Sequence, residues 1–148
     1  MSLVVVGSMA FDAIETPFGK SDRIIGGAAT YIAWSASNFT DTIKQISVVG
    51  GDFPKEELQA LEARGVILEG VQIKEDEKSF FWSGKYHMDM NTRDTLDTQL
   101  NVLANFTPVV PDSYQDCEFL MLGNLVPAVQ LSVIDQMKER PRLVVGAA

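Results

Sequence analysis

Leu3-Val4-Val5-Val6-Gly7-Ser8-Met9-Ala10-Phe11-Asp12 carries the strongest structural signal in the chain. It opens on four uninterrupted apolar residues, three of them β-branched, as in a strand covered on both faces within a parallel sheet. The run ends at Gly7, and Asp12 follows beyond the carboxyl end of that strand. Open α/β sheets bind their ligands at this end. Gly7-Ser8-Met9-Ala10 lacks the glycines of a dinucleotide fingerprint. Spacing alone leaves two readings of Asp12 open: an acceptor for ligand hydroxyls, or a turn residue in a hairpin.

Residues 11–16 and 23–25 read as a hairpin standing off the main sheet, because Pro17, Gly19 and Ser21-Asp22 between them are turn formers. Gly26-Gly27 then opens a helix predicted over residues 28–39, with Ala29, Ile32, Ala36 and Phe39 on its inner face. Backbone amides at such a helix start favour a polar or anionic group. No Gly-Lys-Ser/Thr follows, so this is no P-loop, and taken alone the pair reads better as a tight strand-to-helix turn. Residues 46–49 give a further buried strand. Gly50-Gly51-Asp52 reads as an ordinary helix entry, since Pro54 and Glu56-Glu57 follow. A helix over residues 55–64 places Leu58 and Leu61 inward and is capped by Gly65.

Residues 71–73 and 79–86 are predicted strands, the second rich in aromatics. Alternation sends Phe80 and Trp82 to one face and Phe81 to the other, so both faces call for a partner, ligand or protein. Residues 89–105 show no usable period. Residues 118–122 form an apolar strand ending at Gly123-Asn124. A helix over 127–138 follows, with Val126, Val129, Val133 and Met137 as its inward stripe and Lys138, Arg140 and Pro141 at its close. Residues 143–145 are one more buried strand. The alternation is that of an α/β protein: a partial Rossmann-like parallel sheet with helices on its faces and a small inserted β-lid. A single domain over residues 1–148 is expected, with lid strands at about 11–25 and 71–101.

Composition narrows the function classes. At 148 residues, 46% hydrophobic and 22% charged, the chain is of ordinary globular type. Twenty acidic against 12 basic residues give a net charge of −8, a field that argues against nucleic acid or an anionic membrane as partner. No apolar run is long enough to span a bilayer, and the N-terminus does not read as a secretory signal, so a cytoplasmic location is expected. The single cysteine, Cys117, lies between Asp116 and Glu118, which disfavour a thiolate, and is read as structural. His87, the only histidine, is read as a solvated loop residue, and no metal-ligand spacing is present. Ser8 lacks the nucleophile-elbow context, which leaves hydrolase chemistry without support.

Taken together, Val4-Val5-Val6-Gly7 with Asp12, Gly26-Gly27-Ala28-Ala29-Thr30, Ser47-Val48-Val49-Gly50-Gly51-Asp52, Ser79-Phe80-Phe81-Trp82 and Glu118 through Asn124 resemble the ribokinase-like, or phosphofructokinase-B, family of sugar and nucleoside kinases. The resemblance implies transfer of the γ-phosphate of ATP to a hydroxymethyl group. It also implies that Asp12 binds substrate hydroxyls, that Gly26, Gly27 and Ala28 place backbone beside the sugar, and that Tyr31 and Asn124 line its pocket. Phe80, Phe81 and Trp82 would form a lid or a dimer contact. Tyr31 stands where the family commonly has asparagine, which points to a changed substrate mode. Members of the family run to about twice this length, and their anion hole, catalytic aspartate and nucleotide pocket match nothing here. The chain is therefore expected to be the N-terminal, substrate-binding half, with no catalytic residue and no cofactor of its own, ATP and Mg belonging to the full-length family. Phosphoryl transfer without those groups loses both positioning and electrostatic stabilisation. A cut sheet also leaves an uncovered edge, so a homodimer is expected. The alternative is a non-enzymatic sugar- or nucleoside-binding or self-associating module.

Overall fold

Nine strands and three helices alternate along a computed structural model that describes residues 2–147. Leu3–Val6 is β1, and Ala10–Thr16 and Gly19–Gly26 form the hairpin β2–β3. Helix α1 (Ala28–Ala36), β4 (Ile43–Gly50), α2 (Lys55–Ala63) and β5 (Val66–Lys74) follow. The second hairpin is β6 (Phe80–Tyr86) with β7 (Arg93–Gln99), and the chain continues into β8 (Phe119–Leu122), α3 (Pro127–Asp135) and β9 (Leu143–Gly146). The main sheet has the order β5-β4-β1-β8-β9, every pair parallel. The second sheet, β3-β2-β6-β7, joins the two hairpins through the parallel pair β2–β6. No described helix is long and apolar enough to cross a membrane.

The uninterrupted apolar run of β1 is explained by its central place. Strand alternation sends Val4 and Val6 into one core cluster and Val5 into another, and all three are fully buried. One cluster gathers Ile46, Val48, Tyr114, Leu120 and Val133 on the α3 side; the other gathers Ala29, Ala33, Ile43, Phe53 and Leu61 beneath α1 and α2. Burying one such aliphatic side chain stabilises the fold by about 1.5–3 kcal/mol.

Several expectations need correction. Residues 71–73 belong to the main sheet, as part of β5, and not to the lid insertion assigned to 71–101: Ser47 pairs with Val71 and Val49 with Ile73. A register shift between Lys44 and Ile46 interrupts the ladder, and with it the period that would have joined residues 66–74 into one strand. Helix α1 stops at Ala36, and Phe39, expected inward, is 85% exposed. The α3 stripe holds at Val129, Val133 and Met137 but not at Val126, the N-cap, which is exposed. β9 is not buried: it is the outer strand of the sheet, and all four of its residues are exposed. The segment without a period, 89–105, contains β7 and a short 3-10 turn over Asn101–Leu103.

Candidate functional site

Ser8, the second residue beyond β1, is the point where three elements meet. Its hydroxyl donates to Asn124 Oδ1 at 3.0 Å and accepts the Ala28 N–H at 3.2 Å. Its backbone N–H also donates to Asn124 Oδ1, at 3.3 Å, and its carbonyl accepts the Ala29 N–H at 3.0 Å. The end of β1, the start of α1 and the β8–α3 loop are thereby locked together. Gly27 has φ +96°, and a Cβ there would overlap the Ser8 backbone, so both conformation and space require glycine. A Cβ on Gly26 would instead overlap the carboxylate of Asp12. The glycine pair therefore has two separate tasks: Gly27 makes the turn, and Gly26 makes room for Asp12.

Register then carries Asp12 toward the second hairpin. In the β2–β6 pair Ala10 lies opposite Phe80 and Asp12 opposite Trp82, which puts these four on one face of the second sheet. They line a cavity of about 400 Å³ with Ser8, Gly27, Ala28, Tyr31, Tyr86, Arg93 and Asn124. Phe81 points to the opposite face, where it packs against the core and borders a separate recess. Burial pushes the Asp12 carboxyl above its usual value. Among the described residues no cation pairs with Asp12, so its oxygens are free to accept from a ligand. The Tyr31 hydroxyl donates to the Ile25 carbonyl at 3.1 Å, holding its ring at the cavity wall. An apolar recess of about 420 Å³ adjoins, sharing Phe80 and Asn124 and otherwise lined by Leu100, Leu103, Phe106, Leu125 and Val129 among others.

All the residues singled out from the sequence for a substrate pocket, except Gly26, line this one cavity, and Gly26 seats the carboxylate that does. Of the aromatic trio, Phe80 and Trp82 join it and Phe81 does not. Sequence reasoning missed Ser8 as a structural hub, because only a nucleophilic role was weighed, and it missed Tyr86 and Arg93. Neither of these carries a local signal: the β6–β7 pairing of Tyr86 with Arg93 brings them together. Asp52 is also more than a helix entry, since it binds Ser79 at the start of β6. Outside the cavity, His87 Nε2 lies 2.8 Å from Asp94 Oδ2 at the exposed β6–β7 turn, and Cys117 is buried, its thiol pushed up chiefly by that burial.

Among the described residues no group of three or more His, Cys, Asp and Glu side chains is disposed to hold a metal ion, and Asp12 stands alone as the carboxylate of the cavity.

No family model matches the sequence. A cytidine kinase of Thermococcus kodakarensis is 29% identical over 138 residues, which cover 93% of this chain and 49% of that protein. Among solved structures, a ribokinase from Cryptococcus neoformans in complex with ADP superposes with a TM-score of 0.75 at 17% identity, over 98% of this chain and 49% of that one. A nucleoside kinase of Methanocaldococcus jannaschii, an archaeal member of the ribokinase family, gives 0.74 at 18% identity, over 99% and 52%. The chain thus spans about half the length of each of these three proteins. It has the ribokinase-like α/β fold, and what it resembles, in sequence and in structure, is half of a sugar or nucleoside kinase.

Proposed function

We propose that this chain is the substrate-binding half of an ATP-dependent sugar or nucleoside kinase and is inactive in phosphoryl transfer on its own. The observation that carries the reading is the Asp12 carboxylate, half-buried, unpaired and seated against Gly26 in a cavity with the α1 entry and Asn124. Such a carboxylate accepts hydrogen bonds from two neighbouring hydroxyls of a furanose ring, and ionised acceptors make the stronger bonds. The Asn124 side chain supplies a further polar contact, while Phe80 and Trp82 close over the ligand as a lid and exclude water. Similarity to a cytidine kinase supports a nucleoside as ligand. ATP and Mg belong to the remainder of such a kinase.

Calorimetry of the chain against sugars and nucleosides, with Asp12→Ala as control, tests the reading. Heat with at least one of them, lost in Asp12→Ala, is expected, together with no turnover when ATP is added. Absence of heat with the whole panel would refute ligand binding.

A self-associating module is the second reading, favoured by β9. Leu143, Val144 and Val145 are 52%, 37% and 42% exposed on an outer strand with no neighbour beyond it among the described residues. Such an edge is a template for pairing with a second copy.

A further inference from the structure

The cavity holds one cation, Arg93, on the β7 wall. Among the described residues no carboxylate forms an ion pair with it. Its guanidinium carbon lies 5.9 Å from the centre of the Trp82 ring, and Tyr31 and Tyr86 border the same space. Arg93 lines the cavity and is exposed, on a strand whose seven residues are all exposed. Its conformation is therefore available to a ligand and is not consumed by the fold.

We propose that Arg93 is a specificity-determining residue that reads the base of a nucleoside carrying a carbonyl oxygen beside an unprotonated ring nitrogen. The inference rests on the sugar or nucleoside reading of this cavity and narrows it to nucleosides. Three observations carry it. First, a planar guanidinium presents two parallel donors, which match two adjacent acceptors in one plane, as arginine does with the O6/N7 edge of guanine. Second, the aromatic rings around it offer a face for a flat heterocycle to stack on. Third, Asp12 in the same cavity and the net charge of −8 disfavour an anionic ligand, so the guanidinium meets a polarised neutral acceptor better than a carboxylate. The adjoining recess is a poorer place for such a base. Asn124 is its one polar side chain, and with Oδ1 engaged by Ser8 only its amide nitrogen is left to meet a ligand. A base there would leave most of its acceptors without partners.

The test is calorimetric titration of the full chain with cytidine, inosine, uridine and ribose. Cytidine (O2/N3) and inosine (O6/N7) present the acceptor pair; uridine, protonated at N3, and ribose do not. In the unsubstituted chain cytidine and inosine bind more tightly than uridine and ribose. Arg93→Met and Arg93→Lys each weaken cytidine and inosine by roughly tenfold or more, the loss expected when a bidentate contact goes. Ribose affinity stays unchanged in both. Unchanged cytidine affinity in Arg93→Met overturns the proposal, and so does an equal loss for all four ligands. If Val129→Phe, which fills the recess, removes the preference for cytidine while Arg93→Met does not, the base lies in the recess and the proposal fails. Tighter, Arg93-dependent binding of gluconate than of cytidine overturns it in favour of a carboxylate ligand. Ribose and nucleosides binding alike, with Asp12→Ala abolishing both, defeats this inference alone; no binding by any of them defeats the reading beneath it as well.

Discussion

The carboxylate of Asp52 accepts two hydrogen bonds from Ser79, one from its backbone N–H and one from its hydroxyl, each at 2.8 Å. This pair joins the loop after β4 in the main sheet to the start of β6 in the second. The Ser79 hydroxyl also accepts the Gly50 N–H at 2.9 Å, its carbonyl accepts from Asn101 Nδ2 at 2.9 Å, and the second Asp52 oxygen pairs with Arg23 of β3 at 3.4 Å. Both hairpins of the second sheet are thus anchored at one point.

Removing that anchor has a defined cost. Ser79 is 1% exposed, so Asp52→Ala leaves a buried hydroxyl and a buried N–H without their acceptor. A loss of about 1–3 kcal/mol is expected. Asp52→Asn, which keeps one acceptor oxygen, should cost less. Urea unfolding measures the loss, and hydrogen exchange should show it concentrated at β6 and Asn101–Leu103.

The two glycines before α1 should separate stability from binding. Gly27→Ala forces a side chain onto φ +96° and into the Ser8 backbone, at a cost of roughly 1–3 kcal/mol. Gly26→Ala meets mainly the Asp12 side chain, which can swing away. Its expected effect is lost ligand affinity at a smaller cost in thermal stability. Equal unfolding midpoints for the two variants would show that Gly27 is not the strained position.

Asp12 should oppose stability at neutral pH. Its folded-state pKa is raised by burial above the unfolded value, so between the two values the native chain holds more protons than the unfolded one. Stability then falls as pH rises through that window, and the deficit persists above it. Asp12→Asn should raise the unfolding midpoint at pH 7, flatten the acid-side dependence and weaken ligand binding. A variant less stable than the parent at pH 7 would contradict the sign.

Self-association through β9 is tested by Val144→Lys, a charge on an outer strand of the kind that blocks edge pairing. The unsubstituted chain should show the mass of a dimer by light scattering, and Val144→Lys that of a monomer. A monodisperse monomer before substitution would remove the case for the β9 edge.

Local periodicity was enough to identify β1, the turn at Gly26-Gly27, α2 and the alternation of Phe80, Phe81 and Trp82, because each depends on neighbours within a turn of helix or a few residues of strand. It also placed Asp12 and Asn124 beyond the ends of strands, while the pocket they would share, and the part of Tyr31 in it, came only from the family resemblance. It failed where pairing overrides pattern. The register shift in β4–β5 hid an edge strand, and the polar run of β7 is a strand only because β6 lies beside it.

What a reader of the chain alone could establish was therefore the α/β class, the order of most elements and the polar end of the cavity. The tertiary structure alone assigned residues 71–73 to the main sheet, brought Arg93 and Tyr86 into one cavity with Asp12, and made Asp52 the partner of Ser79. The reason is physical. Secondary structure follows from side-chain spacing that short segments carry within themselves, whereas Ser8 with Asn124, 116 residues apart, or Asp52 with Ser79, 27 apart, meet only once strand order and register have closed the space between them.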